Sequence, residues 1–200
     1  MSKDIAAMYK SKLCSAEEAV RGIEDGSWID YGFFNGKPIL CDKALAARQD
    51  ELKEIFILAA VTLPPLPEVL NSDPKGEVFT YNSFHFSPVD RIMQQHLPNV
   101  FYNPILYSEC ERYYDDVTND PQVVGTPRRK VGIVQTGLMD ENGYFNFGLH
   151  NSSTYTSLTH ADIAIVETNQ NIPICLGGER ERVHISQVTH VVEGENPDLM

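Results

Sequence analysis

Apolar positions along the chain alternate between two periods, one suited to helices and one to strands. Residues 3–12 have the pattern of a short amphipathic helix. Ser15-Ala16-Glu17-Glu18 is a capping box, in which hydroxyl and carboxylate each satisfy a free backbone donor; it starts a helix over 15–25 that Gly26 ends. Trp28 to Phe34 reads as a strand running into a glycine loop, Gly32 to Pro38. A helix follows over 39–52, with Leu40, Ala44, Leu45 and Ala47 on one face. Ile55 to Val61 is a continuous apolar run of strand length, the pattern of a strand covered on both faces, and Pro64 to Pro67 stops it. The same grammar then repeats. Glu77 to Phe84 is a strand, Ser87-Pro88-Val89-Asp90 opens a helix over 88–96, and Val100 to Leu106 is a further strand. Residues 115–129 form one long irregular segment. Val131 to Thr136 and Ile163 to Glu167 are strands joined by a crossover helix at 154–161, and Val183 to Val192 is a final strand region.

Strands alternating with helices predict an α/β fold with at least five mostly parallel strands in an open sheet flanked by helices. Ligands on such sheets gather at the carboxyl ends of the strands. The loops at 32–38, 83–88 and 135–151 all follow strands, so they are expected to converge on one face.

Composition narrows the function. The chain has 200 residues, long enough for a sizeable core, and a formal net charge of −12, which argues against nucleic acid because phosphate binding needs clustered Lys and Arg. The basic run Arg128-Arg129-Lys130 leads straight into an apolar strand and reads as a solvated loop. No apolar run approaches the roughly 20 residues of a membrane span, and the start lacks a signal-peptide core, so a cytoplasmic protein is expected. Cys14, Cys41, Cys110 and Cys175 form no CxxC pair, which points to small apolar residues in a reducing compartment and not to a zinc site.

The candidate chemistry starts with the glycine loop. Gly32 and Gly36 flank two aromatics and Asn35, and Pro38 fixes the exit. Such a loop brings backbone amides close to a ligand, where they stabilise the oxyanion of an attacked carbonyl. A plain strand-to-helix turn has the same pattern, and the spacing is not that of a dinucleotide or P-loop fingerprint. Asp140-Glu141-Asn142-Gly143 is a tight turn, and Gly148 to Ser153 crowds small and polar residues at a strand end. Glu167 ends an apolar strand where a nucleophile could sit, but no second group tunes it, and a structural hydrogen-bonding role is expected. His184 and His190 fall on one face of the last strand region, about 20 Å apart at roughly 3.3 Å per residue, too far to share a metal ion.

The order of several pieces resembles the amino-terminal half of the acetyl-CoA hydrolase/transferase family. They are Tyr9 to Leu13, Gly32-Phe33 with Gly36-Lys37-Pro38, Ser87-Pro88, Met139 to Gly143 with Gly148, Val166-Glu167-Thr168-Asn169 with Pro173, and Val183 to Val188. Residues 71–82 and 107–128 are idiosyncratic, and Leu138-Met139 stands where the family commonly has prolines. The resemblance implies a CoA-transferase (NagB/RpiA-like) sheet, with residues 1–200 as a single amino-terminal domain. It also implies ping-pong chemistry through an acyl-glutamyl anhydride and a glutamyl-CoA thioester, with butyryl or acetyl groups exchanged against acetate or another short carboxylate. In the family that glutamate lies in the carboxyl-terminal half, which this chain lacks, so no catalytic residue or metal carries over and the partner is that half. Coenzyme A is then a substrate, no resident cofactor is called for, and homo-oligomers are expected. The substrate-side residues are Gly32, Asn35, Gly36, Lys37 and Pro38, with Ser83 and Ser87 in a second active-site loop. An acetyl-CoA hydrolase half and a non-catalytic binding module remain the alternatives.

Overall fold

A computed structural model describes residues 2–114 and 129–199. Its strands are, in chain order, β1 (Trp28–Phe33), β2 (Ile55–Ala60), β3 (Phe79–Ser83), β4 (Val100–Tyr102), β5 (Lys130–Thr136), β6 (Tyr144–Asn146), β7 (Ile163–Thr168), β8 (Arg182–His184) and β9 (His190–Glu193). Seven of them make one sheet in the order β4-β3-β2-β1-β5-β7-β9, every neighbouring pair parallel. The register sets apolar side chains in rows: Tyr81 pairs with Ile57, Ile57 with Ile29, Ile29 with Val131 and Val131 with Ile163. The other two strands, β6 and β8, form an antiparallel ribbon.

The helices are α1 (Lys3–Lys12), α2 (Ala16–Ala19), α3 (Leu40–Ala46), α4 (Glu68–Ser72), α5 (Pro88–His96), α6 (Cys110–Arg112) and α7 (Thr154–Thr159). Strand alternation sends side chains to two layers. Ile29, Ile57, Ile133 and Ile165 pack with Ala19, Leu45, Leu70 and Met93 of the helices on one face. Val134, Ala164 and Val166 pack on the other face with Leu158 of α7, with Phe145 and Val183 of the ribbon and with Phe147 beside it. Burying both faces explains the unbroken apolar run of β2.

The predicted α/β sheet is present, and several element boundaries differ from the sequence pattern. The capping box at Ser15 forms, with Glu18 N–H on the Ser15 hydroxyl and Ser15 N–H on the Glu18 carboxylate. The helix behind it stops at Ala19 and tightens into a 3₁₀ turn over Val20–Gly22, because the chain must bring Gly22 against Ile163. The helix expected over 39–52 closes at Ala46, where Arg48 N–H bonds the Leu45 carbonyl in an i to i+3 step, and a separate turn covers Gln49–Glu51. Strand β4 is cut to three residues ahead of Pro104, whose ring nitrogen has no proton for a ladder. A short helix, α4, lies between the prolines and β3, where none was expected.

The final strand region is not one strand. β8 belongs to the ribbon, a turn over Ile185–Gln187 reverses the path, and β9 joins the main sheet. His184 and His190 therefore share no face. The His184 ring meets the Ser186 hydroxyl at 2.8 Å, and the His190 ring meets the Cys14 sulfur at 3.7 Å. The irregular segment expected after residue 114 lies outside the described residues up to position 128. Among the described residues, no helix is long and apolar enough to cross a membrane.

Candidate functional site

Among the described residues, four non-glycine residues have positive φ: Phe34 (50°), Val61 (54°), Ser152 (39°) and Asn196 (54°). Phe34 directly follows β1 and Val61 directly follows β2. For a β-branched residue this conformation is a true outlier, costing about 1–3 kcal/mol, and it persists only where neighbours over-determine it. The neighbours of Val61 do so. Thr62 donates its hydroxyl to Asp90 at 2.6 Å and its amide to the same carboxylate at 3.1 Å. Ser87 donates to the Thr62 carbonyl at 2.7 Å, and the Tyr81 and Thr62 hydroxyls meet at 2.9 Å. A buried polar hub thus pins the strained turn after β2.

Between the loops after β1 and β2, Gln135 of β5 and residues 197–199 lies a cavity of about 40 Å³, lined by Asn35, Lys37, Pro65, Gln135, Pro197 and Asp198 among others. That volume takes a few atoms, such as a carboxylate or a water pair, and not a nucleotide. Lys37 is 6% exposed, and its ammonium donates to the Pro65 carbonyl at 2.5 Å. Among the described residues no carboxylate lies within ion-pair distance of it. Burial pushes its pKa down, partly offset by the more distant Asp42 and Glu167 charges. A buried ammonium with no anion beside it is costly unless a bound anion completes it.

Behind Lys37 runs a chain of buried amides and an imidazole. Gln135 donates to the Lys37 carbonyl at 3.1 Å and accepts from Asn169 at 3.1 Å; Asn169 also donates to the Pro197 carbonyl at 3.0 Å. His150 donates from Nε2 to the Gln135 carbonyl at 2.7 Å, while its Nδ1 is buried without a hydrogen-bond partner among the described residues. Burial holds that imidazole neutral, with a pKa down to about 4. Its ring lies flush on Gly36, where an added Cβ would sit 2.6 Å from His150 Cδ2. Gly36 is therefore the point of close approach between the first loop and the 148–151 segment. Sequence reasoning missed Gln135, His150 and Asn169, and only the polar residues breaking apolar patterns at strand ends hinted at them.

The sequence-derived candidates separate into two groups. Asn35 and Lys37 line the cavity, while Gly36 and Pro38, both buried, belong to the same loop without lining it. Gly32 adopts φ +67°, open to glycine, and gives its N–H to Asp30 at 2.7 Å, so this amide is already engaged. Burial lifts the Asp30 carboxyl to about 6, against hydrogen bonds from Tyr114 and Gly32 that lower it. Ser83 and Ser87 lie beyond β2 and do not line the cavity. Ser83 donates to the His85 carbonyl at 3.2 Å, and Ser87 caps α5 by accepting from Asp90 N–H at 3.1 Å while Asp90 accepts from Ser87 N–H at 2.7 Å.

Glu167 has the structural role expected of it. It is 1% exposed, and its two oxygens accept from Ile39 N–H and Cys41 N–H, each at 2.9 Å, satisfying the free amides at the start of α3. Both oxygens are thereby aimed at the backbone and away from any reacting group.

Comparison with known proteins agrees with this architecture. The family model described as the acetyl-CoA hydrolase/transferase N-terminal domain matches residues 1–198. The chain is 40% identical over 191 residues to the butyryl-CoA:acetate CoA-transferase of Anaerostipes caccae, covering 96% of this chain and 41% of that protein. It is 34% identical over 201 residues to a probable butyrate:acetyl-CoA coenzyme A-transferase of Syntrophomonas wolfei, covering 100% of this chain and 42% of that one. Among solved structures, RipA from Yersinia pestis superposes with a TM-score of 0.80 at 24% identity, over 98% of this chain and 45% of RipA. A 4-hydroxybutyrate CoA-transferase from Porphyromonas gingivalis does so at 0.64 and 20% identity, over 94% and 41% of the two chains, which likewise speaks for the fold alone. The chain spans about two fifths of the length of the curated relatives it matches. It belongs to the acetyl-CoA hydrolase/transferase family, as that family's N-terminal domain.

Proposed function

We propose that the chain is the amino-terminal half of an acyl-CoA:carboxylate CoA-transferase, and that the Lys37 cavity receives the carboxylate end of the exchanged acid. The observation that carries the reading is Lys37 itself: a buried ammonium, without a carboxylate partner among the described residues, in a cavity of carboxylate size at the strand ends. The two relatives named above are described as exchanging CoA between butyrate and acetate, which supports short carboxylates as the acids.

In this reading a glutamate from outside the chain attacks the thioester carbonyl, the carbon–sulfur bond breaks, and CoA leaves as thiolate. The thiolate then attacks the glutamyl carbonyl of the anhydride, releasing the original acyl group as a carboxylate and leaving a glutamyl-CoA thioester. An acceptor carboxylate takes the CoA by the same two steps reversed. A carboxylate is nucleophile and leaving group at similar cost, so both directions run through one intermediate. Lys37 and the Asn35 side chain hold and orient the free acid, and CoA enters as substrate with no resident cofactor.

The test is acetate-dependent CoA exchange by this chain co-expressed with the carboxyl-terminal three-fifths of the Anaerostipes relative. Lys37→Met should lower kcat/KM for acetate by about 10²-fold, the scale of one lost charge-stabilising donor, with thermal stability unchanged or raised. Exchange by the Lys37→Met complex at the unsubstituted rate would remove the cavity from the reaction.

A further inference from the structure

His150 is a buried titratable group at the strand ends that the proposed reaction leaves without a task. It is 1% exposed and does not line the Lys37 cavity. Its own backbone is fixed: its N–H reaches the Phe147 carbonyl at 3.4 Å, and its carbonyl accepts from the buried Thr154 hydroxyl at 2.8 Å. As a packing residue it is a poor choice. Its Nδ1 has no hydrogen-bond partner among the described residues, and a buried acceptor left so costs about 1–3 kcal/mol, which a phenyl ring avoids. What the imidazole adds over a phenyl ring is one donor, Nε2, and that donor is directed at the Gln135 carbonyl at 2.7 Å.

The contacts of His150 lead to two walls of the cavity. Its ring is the shelf under Gly36, where a Cβ would lie 2.6 Å from Cδ2 and 3.2 Å from Nε2, and Gly36 directly precedes Lys37. Gln135, whose carbonyl the imidazole holds, donates its side-chain amide to the Lys37 carbonyl at 3.1 Å. Gln135 also accepts from the Asn169 amide at 3.1 Å, and Asn169 donates to the Pro197 carbonyl at 3.0 Å. Lys37 and Pro197 both line the cavity. One hydrogen-bonded chain therefore sets the separation of these two walls, and His150 is its buried anchor. The ammonium can aim only from where the Lys37 backbone stands, and that backbone is fixed from the His150 side.

We infer that His150 is a positioning residue: it fixes Gly36 and Gln135, and through them the place of the Lys37 ammonium, so that a short carboxylate meets a preformed site. The inference rests on the carboxylate reading of the cavity and adds the residue that holds the ammonium in place. A misplacement of about 1 Å costs up to about 10²-fold where geometry matters. Because His150 acts on the group that holds the free acid and touches no reacting atom, its loss belongs in the KM for that acid and not in kcat.

Two measurements test it. The first is acetate-dependent exchange by the complex with the carboxyl-terminal three-fifths of the Anaerostipes relative, where His150→Ala should raise the KM for acetate about 10-fold and change kcat less than about twofold. The second is pulse acetylation of this chain alone with acetic anhydride, read at each lysine by peptide mass spectrometry. Lys43, with its side chain 53% exposed, is the internal reference. Lys37, 6% exposed, should label about 10-fold faster relative to Lys43 in His150→Ala, because the loosened loop opens to solvent. His150→Gln, whose amide stands near the place of Nε2, should restore most of both values. His150→Phe keeps the shelf without the donor and should fall between, and it serves where His150→Ala does not fold. A merely structural role would lower the melting temperature and leave the KM and the labelling ratio unmoved. An unchanged KM in the His150 variants where Lys37→Met impairs exchange would overturn the positioning role and leave the carboxylate reading intact. Lys37→Met without effect on exchange would overturn both. Where the complex shows no exchange, an unchanged labelling ratio overturns the positioning role by itself.

Discussion

Removing the Glu167 carboxylate should unfold the chain before it affects any chemistry. Its two oxygens are the acceptors for the Ile39 and Cys41 amides at the head of α3, both at 2.9 Å, and Cys41 is fully buried. In Glu167→Ala each amide loses its acceptor in a place that water reaches poorly. A buried donor left unsatisfied costs about 1–3 kcal/mol, and the lost carboxylate at a helix amino end adds about 0.5 kcal/mol. The total is about 4 kcal/mol. For a domain of this size each kcal/mol moves Tm by about 2–4 °C, so the variant should melt about 8–16 °C lower. Glu167→Gln keeps one acceptor and turns an amide NH₂ toward the other donor, so it should recover about half of the loss at best. Differential scanning calorimetry on the purified chain reads both. A catalytic carboxylate held under electrostatic strain behaves the other way, since its removal leaves stability unchanged or raises it. A Tm for Glu167→Ala within about 2 °C of the unsubstituted chain would refute the capping argument and return Glu167 to the list of candidate nucleophiles.

Three further outcomes follow from the same geometry. His150 has a folded pKa of about 4 against an ordinary 6.5, so its contribution is full above pH 6.5 and is lost as pH falls through 4, about 3 kcal/mol in all. Asp30 and Asp42, raised to about 6 mainly by burial, act in the opposite sense, so the measurable is the difference in urea-unfolding free energy between the chain and His150→Phe, which should shrink from pH 7 to pH 4. Gly36→Ala should destabilise by about 1–3 kcal/mol through overpacking against the anchored imidazole, and His150→Ala in the same chain should relieve most of that loss in a double-mutant cycle. The chain alone should show no CoA exchange between butyryl-CoA and acetate, and measurable exchange by it free of contaminating enzyme would end the half-enzyme reading.

The sheet was legible because its evidence is local and repeated. Ile55 to Ala60 and Val131 to Val134 are apolar runs, and their pattern and length mark them as buried strands. The boundaries were less legible where tertiary contacts override propensity: the helix after Ser15 ends early to seat Gly22 on Ile163. The split of 183–192 was hidden for a related reason. Val183 and Ile185 alternate, but Val188 falls three residues after Ile185, a break that only the bond from Val188 N–H to the Ile185 carbonyl identifies as a turn. The first loop was visible from its glycines and proline, but its partners were not. Gln135, His150 and Asn169 come from three places up to 34 residues apart, and nothing in their spacing says that one hydrogen-bonded chain joins them. The burial of Lys37 was equally invisible, because a lysine beside glycine and proline reads as solvated until the Pro65 carbonyl is seen against it.

The placement of the unfavourable features is itself an argument about function. A sequence that merely folds has no reason to put a left-handed valine, a buried ammonium and a field of exposed leucines together. Scattered over the molecule, each would read as tolerated imperfection. Here Val61 follows β2, Lys37 follows β1, and Leu138, Leu149, Ile174 and Leu176 follow β5, β6 and β7, all at the carboxyl ends. The first is held by the Thr62–Asp90–Ser87 hub, so its cost is met inside the chain. The other two are not: among the described residues no carboxylate lies within ion-pair distance of the Lys37 ammonium, and nothing covers Leu138, Leu149, Ile174 and Leu176. Local rules are broken without internal compensation where an outside partner supplies it. In the proposed reading a small carboxylate answers the first deficit.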